Sequence, residues 1–101
     1  MTNLTLNQDV YFKGEIIPMN IMALSENFAV CFREQNGLPY FLVLDFKNNI
    51  SNKEAYIFKR IDGDNQKYCD ILMKELEEGK CEINKQNSKP INIDWNATSK
   101  G

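Results

Sequence analysis

The sequence predicts an α+β domain in which a curved antiparallel β-sheet of about five strands is packed against one helix in the C-terminal half of the chain. Three patterns predict this class. An Asn-Gly pair separates two apolar runs, the second of those runs is apolar on both faces, and a later segment has helical spacing. A chain of 101 residues has room for one core, so we predict a single domain over 1–101, ordered over about 9–93.

The centre of the predicted sheet is a β-hairpin over residues 27–46. Asn36 and Gly37 tolerate the positive φ angles of a two-residue primed turn, and this pair between apolar runs is a strong hairpin signal. Both alternating sets of the second arm are apolar, so we expect this strand to be central and covered on both faces. One set is Phe41 and Val43, and the other is Tyr40, Leu42, Leu44 and Phe46.

Three further segments have the composition of strands. They are residues 9–13, residues 15–24 and residues 55–61. In the second, Ile17, Met19, Ile21 and Ala23 are expected on one face, and Pro18 favours an edge position or a bulge. Residues 81–84 and 90–93 could be edge strands or ordered coil, and residues 96–101 are expected to fray. Sheet curvature, as in a partly closed SH3-type barrel, would cover the face that the helix leaves open.

Residues 65–78 have the spacing of an amphipathic helix. Tyr68, Cys69, Leu72 and Leu76 share one stripe, and charged residues occupy the remainder. Asp64 is the expected N-cap, and Gly79 lies where a glycine of positive φ would end the helix. Asp70 and Lys74 are spaced for an ion pair on its surface.

The composition excludes several chemistries. The chain has no histidine, so the Ser-His-Asp and Cys-His arrangements are impossible. Cys31, Cys69 and Cys81 match no zinc-site spacing and are expected as free thiols in the core. The run Asp62-Gly63-Asp64-Asn65 begins like a calcium loop but lacks the later ligands, and no phosphate-binding loop is present. We therefore predict a protein that is not an enzyme and needs no cofactor or metal.

Charge and segment lengths indicate the setting. The net charge of -2 and the sequence pI near 5.1 disfavour nucleic-acid binding. The N-terminal residues resemble no secretory signal, and no run is long enough to span a membrane. An odd number of cysteines fits a reducing compartment. We expect a cytoplasmic protein without membrane contact, either a monomer or a homodimer.

Several segments together carry a resemblance, and they are Asp9–Gly14, Tyr40–Phe46, Ala55–Phe58, Cys69, Leu72, Leu76–Gly79, Glu82, Ile83, Asn87 and Pro90–Ile93. In these segments the chain resembles a group of small uncharacterised proteins of phages, plasmids and other mobile elements of low-GC bacteria. Members of that group often have an Arg-Gly pair where this chain has Ile50-Ser51-Asn52. The resemblance implies a mobile-element origin, a shared fold, and inhibition of host machinery such as a defence nuclease complex.

Two functions follow as competing predictions. The leading one is a non-catalytic module that binds a host protein through the acidic residues of the helix, Asp70, Glu75, Glu77 and Glu78, or through an exposed sheet edge. The acidic helix is the first choice, and the edge strand around Glu15 to Leu24 is the second. The alternative is an SH3-like nucleic-acid-binding domain that uses Lys47, Lys53, Tyr56, Lys59 and Arg60. Trp95 could anchor an interface if it is exposed, but burial against the sheet is the favoured alternative.

Overall fold

The computed structural model describes residues 4–52, 64–80 and 88–98, and this part of the chain contains six strands and one helix. The α+β class is confirmed. The predicted strand at 55–61 and the segment 81–84 lie outside the described residues. The elements are β1 (Asp9–Val10), β2 (Met19–Leu24), β3 (Phe28–Gln35), β4 (Leu38–Asp45), β5 (Ile50–Asn52), α1 (Asn65–Glu77) and β6 (Lys89–Pro90).

The six strands form one antiparallel meander in which every strand pairs with the next one in sequence. The sheet curls until the segments that follow its two edge strands meet, because Phe12 and Ile93 form an antiparallel bridge. The amide of Lys13 donates to the Asn92 carbonyl at 3.0 Å, and the amide of Asp94 donates to the Tyr11 carbonyl at 2.8 Å. The predicted curved partial barrel is confirmed, with six strands where about five were expected.

The central hairpin has the predicted turn and register. Asn36 and Gly37 have φ angles of 54° and 77°, and Gln35 pairs with Leu38 across the turn. Positive φ at both central residues defines the primed turn that matches the twist of the flanking strands. The Asn-Gly pair therefore fixes which side chains of β3 and β4 face each side of the sheet.

Replacing Gly37 by alanine should lower the free energy of unfolding by about 1–2 kcal/mol. A Cβ at this position would meet no atom within 4 Å, so the cost comes from the positive φ alone. Gly37→Asn is the matched control, because asparagine tolerates this conformation, and its loss should be smaller. Equal losses in urea unfolding of the two variants would contradict this account.

The sheet is covered on both faces, as the double-sided β4 predicts. Residues from both edges of the sheet pack with residues of its centre on the inner side of the curl, and we call this group the concave core. The helix covers the opposite side and forms the helix core. The concave core contains Leu4, Val10, Phe12, Met19, Ile21, Ala29, Cys31, Leu44 and Ile93. The helix core contains Ala23, Val30, Val43, Tyr68, Cys69, Leu72 and Leu76.

A β-bulge in β2 corrects the predicted face of residues 15–24. Ile21 pairs with Cys31, whereas Ala23 pairs with Val30, so two residues of β2 oppose one residue of β3. The extra residue moves Ala23 from the concave core to the helix core. Ile17 lies before the strand and is 49% exposed. The prediction of one shared face is therefore confirmed for Met19 and Ile21 and wrong for Ile17 and Ala23.

Both predicted ends of the helix are confirmed. The Asp64 carboxylate accepts a hydrogen bond from the Lys67 amide at 2.9 Å, which satisfies one free N–H of the first turn. Gly79 has a φ of 74°, and the Lys80 amide donates to the Glu75 carbonyl at 2.8 Å, as in a Schellman motif. These bonds fix the length of the helix that covers the sheet.

The C-terminal turn is more ordered than the sequence suggests. Thr98 is buried, and its hydroxyl accepts from the Tyr11 amide at 3.1 Å and donates to the Asp94 carbonyl at 2.8 Å. The prediction of fraying is therefore wrong for residues 96–98, because this hydroxyl satisfies backbone groups on both sides of it. Trp95 is 50% exposed within this turn, so its favoured burial is also wrong.

Candidate functional site

The four acidic residues predicted as a partner site on the helix do not form one acidic surface. Asp70 accepts a hydrogen bond from Gln66 at 2.9 Å rather than pairing with Lys74. Glu77 accepts a hydrogen bond from the Ser25 hydroxyl, which ties the helix to the β2–β3 turn. Glu78 forms an ion pair with Lys80 at 3.1 Å. Each of these three carboxylates has a local partner.

Two lysines lie among these carboxylates on the outer face of α1. Lys67, Asp70, Lys74 and Glu77 are all exposed and follow one another at helical spacings, so they share one stripe of alternating charge. Glu75 lies beside the buried Leu76 and is only partly exposed. A stripe of mixed sign creates a weak summed field, so it steers a charged partner poorly. The binding role of these residues stays a prediction.

The predicted nucleic-acid surface has one member among the described residues. Lys47 is exposed in the turn between β4 and β5. Lys53, Tyr56, Lys59 and Arg60 lie outside the described residues, so this alternative also stays a prediction.

A cavity of about 460 Å³ opens on the concave side of the sheet, beside the seam where its edges meet. The segments that follow β1 and precede β2 form one wall, and β4, β5 and β6 form the others. Its lining combines apolar side chains with polar ones at the rim. The lining residues are Phe12, Lys13, Glu15, Met19, Tyr40, Leu42, Ser51, Asn52, Lys89, Pro90, Ile91 and Asn92.

Arg33 contacts Glu15 and Tyr40, which line this cavity, and is held by four contacts in all. Its guanidinium contacts Glu15 at 2.7 Å, the Ile17 carbonyl at 3.0 Å and the Gln35 side chain at 2.9 Å. It also stacks over the Tyr40 ring, 4.7 Å from the centroid. Only 13% of the Arg33 side chain is exposed. The arginine therefore fixes the segment before β2 against the hairpin.

The surroundings of Tyr40 shift the pKa of its phenol. Burial raises the pKa of the Tyr40 phenol above its usual value, the nearby Glu15 carboxylate raises it further, and Arg33 opposes both effects. The phenol thus stays protonated near neutral pH and can donate a hydrogen bond into the cavity that it lines.

Exposed aliphatic side chains lie on the two segments that adjoin this arginine. Ile16 is 90% exposed, Ile17 is 49% exposed, and Leu38 is 67% exposed. Ile17 adjoins Arg33 through its carbonyl, and Leu38 lies two residues before Tyr40, which pairs with Arg33 across the hairpin. We call Ile16, Ile17, Leu38, Arg33 and Glu15 the hairpin-end surface.

Sequence reasoning gave the edge strand around Glu15 to Leu24 only as a second choice and missed Arg33 and Leu38, although one signal was present. Arg33 falls on the same alternating face of β3 as Ala29 and Cys31, which are buried. A cation in line with buried residues predicts a partner that offsets the loss of water, because a charge is seldom buried alone. The partner, Glu15, lies eighteen residues away, so its identity required the fold.

The described ranges contain neither a cluster of metal ligands nor a membrane-spanning helix. No three metal-ligating side chains among them converge on a point that could hold a metal ion. The helix that the structure describes is neither long nor apolar enough to cross a membrane.

Comparison with known proteins gives no relative. No protein-family model matches the chain, and no curated protein or solved structure shows significant similarity to it.

Proposed function

We propose that the protein is a non-catalytic module that binds another protein through the hairpin-end surface. The observation that carries this proposal is the presence of three exposed aliphatic side chains on the segments that adjoin the ordered pair of Arg33 and Glu15. Exposed apolar groups beside a fixed arginine and an aromatic ring are typical of the energetic centre of a protein interface.

Preorganisation supports the same surface. Arg33 is already held by Glu15, Gln35 and Tyr40, so a partner that contacts it would lose little side-chain entropy. The mixed stripe on α1 offers neither apolar anchors nor a uniform charge. The hairpin-end surface therefore supports docking better than the acidic helix residues that the sequence favours.

The nature of the partner rests on the resemblance given above. Small proteins of mobile elements often inhibit host machinery, so we propose a host protein in the cytoplasm, such as a component of a defence nuclease complex. The class of partner follows from the resemblance alone, whereas the docking surface follows from the exposed residues of the structure.

The test compares two variants of the same protein. Ile16→Ser with Leu38→Ser removes two apolar anchors, and Glu75→Gln with Glu77→Gln and Glu78→Gln removes charge from the helix. A host protein captured from lysate by the immobilised wild-type chain is purified, and its Kd for each variant is measured. We expect the first variant to bind at least about tenfold more weakly, since each lost anchor costs about 1 kcal/mol or more.

The helix variant is the control and should retain the wild-type Kd. Both variants replace exposed or partly exposed residues, so the free energy of unfolding should change by less than about 0.5 kcal/mol per site. The opposite result, with weakened binding only in the helix variant, would transfer the docking site to α1 as the sequence predicts.

A further inference from the structure

We propose that the concave cavity binds an elongated organic monoanion, with an apolar chain against its floor and a negatively charged head, such as a carboxylate, at its seam. This site adjoins the hairpin-end surface at Glu15, but the lysines and the apolar floor that carry the proposal do not belong to that surface.

The size and floor of the cavity set the apolar part of this ligand. A volume of about 460 Å³ lies within the range of small-molecule sites. Phe12, Met19, Leu42 and Ile91 line it, and all four belong to the concave core or pack against it. Such a floor gains free energy by removing an apolar chain from water.

The charges of the cavity set the sign of the head group. Lys13 and Lys89 line the cavity, and no carboxylate among residues 4–52, 64–80 and 88–98 forms an ion pair with either. The carboxylate that also lines the cavity belongs to Glu15, and Arg33 neutralises it at 2.7 Å. The net excess is positive, which favours an anion and disfavours a cation.

The two lysines lie on neighbouring segments of the seam. The Lys13 amide bonds the Asn92 carbonyl, and Lys89 pairs with Ser51 in the same wall. The Tyr40 hydroxyl adds a neutral hydrogen-bond donor to the lining, whereas the Ser51 hydroxyl already donates to the Lys89 carbonyl at 3.3 Å. This set of donors suits the oxygen atoms of a carboxylate and holds the head at the rim, where water still reaches it.

Decanoate is the probe for this site, at concentrations below micelle formation. Titration followed by amide NMR shifts should show saturable binding, with shifts concentrated at the cavity-lining residues of β4, β5 and β6. Decanol, which has the same chain without a charge, should bind at least about tenfold more weakly, because charge-assisted hydrogen bonds contribute more than that factor. Acetate, which has the head without the chain, should not bind.

Two matched variants each replace two lysines by glutamine, one variant at the cavity and the other on the helix. Lys13→Gln with Lys89→Gln should lower the affinity for decanoate roughly tenfold and leave the affinity for decanol unchanged. Lys67→Gln with Lys74→Gln, on the outer face of α1, should leave the affinity for both ligands unchanged. Failure of decanoate to saturate, equal affinity for the seam variant and the wild type, or shifts confined to the hairpin-end surface would each overturn the proposal. None of these results bears on capture of a protein partner, so the two proposals fail separately.

Discussion

Leu44→Ala should lower the free energy of unfolding by about 3 kcal/mol, within the range of about 2–5 for buried leucines. Leu44 is fully buried in the concave core, on the strand that carries the most extensive pairing with β3. Removing its side chain loses apolar burial and leaves a void that the rigid sheet cannot close. Urea unfolding of the wild type and the variant measures the difference.

Leu38→Ala provides a matched control on the same strand. The residue type, the substitution and the alternating face are identical, but Leu38 is 67% exposed. Its loss should stay below about 0.5 kcal/mol. Similar losses at the two positions would show that strand propensity, rather than burial against the opposite edge of the sheet, sets the stability of β4.

Alkaline pH should destabilise the fold through two buried thiols. Burial raises the pKa of Cys31 and of Cys69 from the ordinary 9.0 to about 12. Above pH 9 the unfolded chain loses these protons while the folded chain keeps them, so the unfolded state binds fewer protons. The free energy of unfolding should therefore fall as the pH rises from about 9 to about 12, by about 1 kcal/mol per pH unit for each thiol.

The variant Cys31→Ala with Cys69→Ala separates this effect from the titration of lysines and tyrosines. Its free energy of unfolding at neutral pH will be lower, because two buried side chains shrink. Its slope against pH should be shallower than that of the wild type between about pH 9 and about pH 11. Parallel slopes in urea unfolding series would mean that these thiols do not titrate differently in the folded chain.

The candidate sites were predictable only in part. The sequence directed attention to the charged residues of α1, because a helix displays its surface residues in a readable order. The sequence could not show that Asp70 and Glu77 both accept hydrogen bonds within the fold. The partner of Glu77 is Ser25, which lies in a turn that is remote in sequence. The cavity combines residues from four stretches of the chain, and the hairpin-end surface combines residues from three. Periodicity in one stretch carries no information about the others.

Local chemistry decided much of the fold. Asn36 and Gly37 set the hairpin because few residue pairs accept positive φ twice, and Asp64 and Gly79 set the ends of the helix through bonds within one turn. Both faces of β4 carry apolar side chains and therefore need cover, which the concave core and the helix provide. Each of these features depends on residues within a few positions of one another.

Tertiary structure decided the features that join distant segments. The bulge in β2 lets Ala23 pack against the helix while Ile21 packs in the concave core. The residues that form these two surroundings lie outside residues 15–24, so the pattern of this segment alone could not predict the bulge. The bridge between Phe12 and Ile93 curls the sheet and orders the C-terminal turn through Thr98. It also places Lys13 and Lys89 on one cavity, because closing the sheet brings its two ends together whatever their separation along the chain.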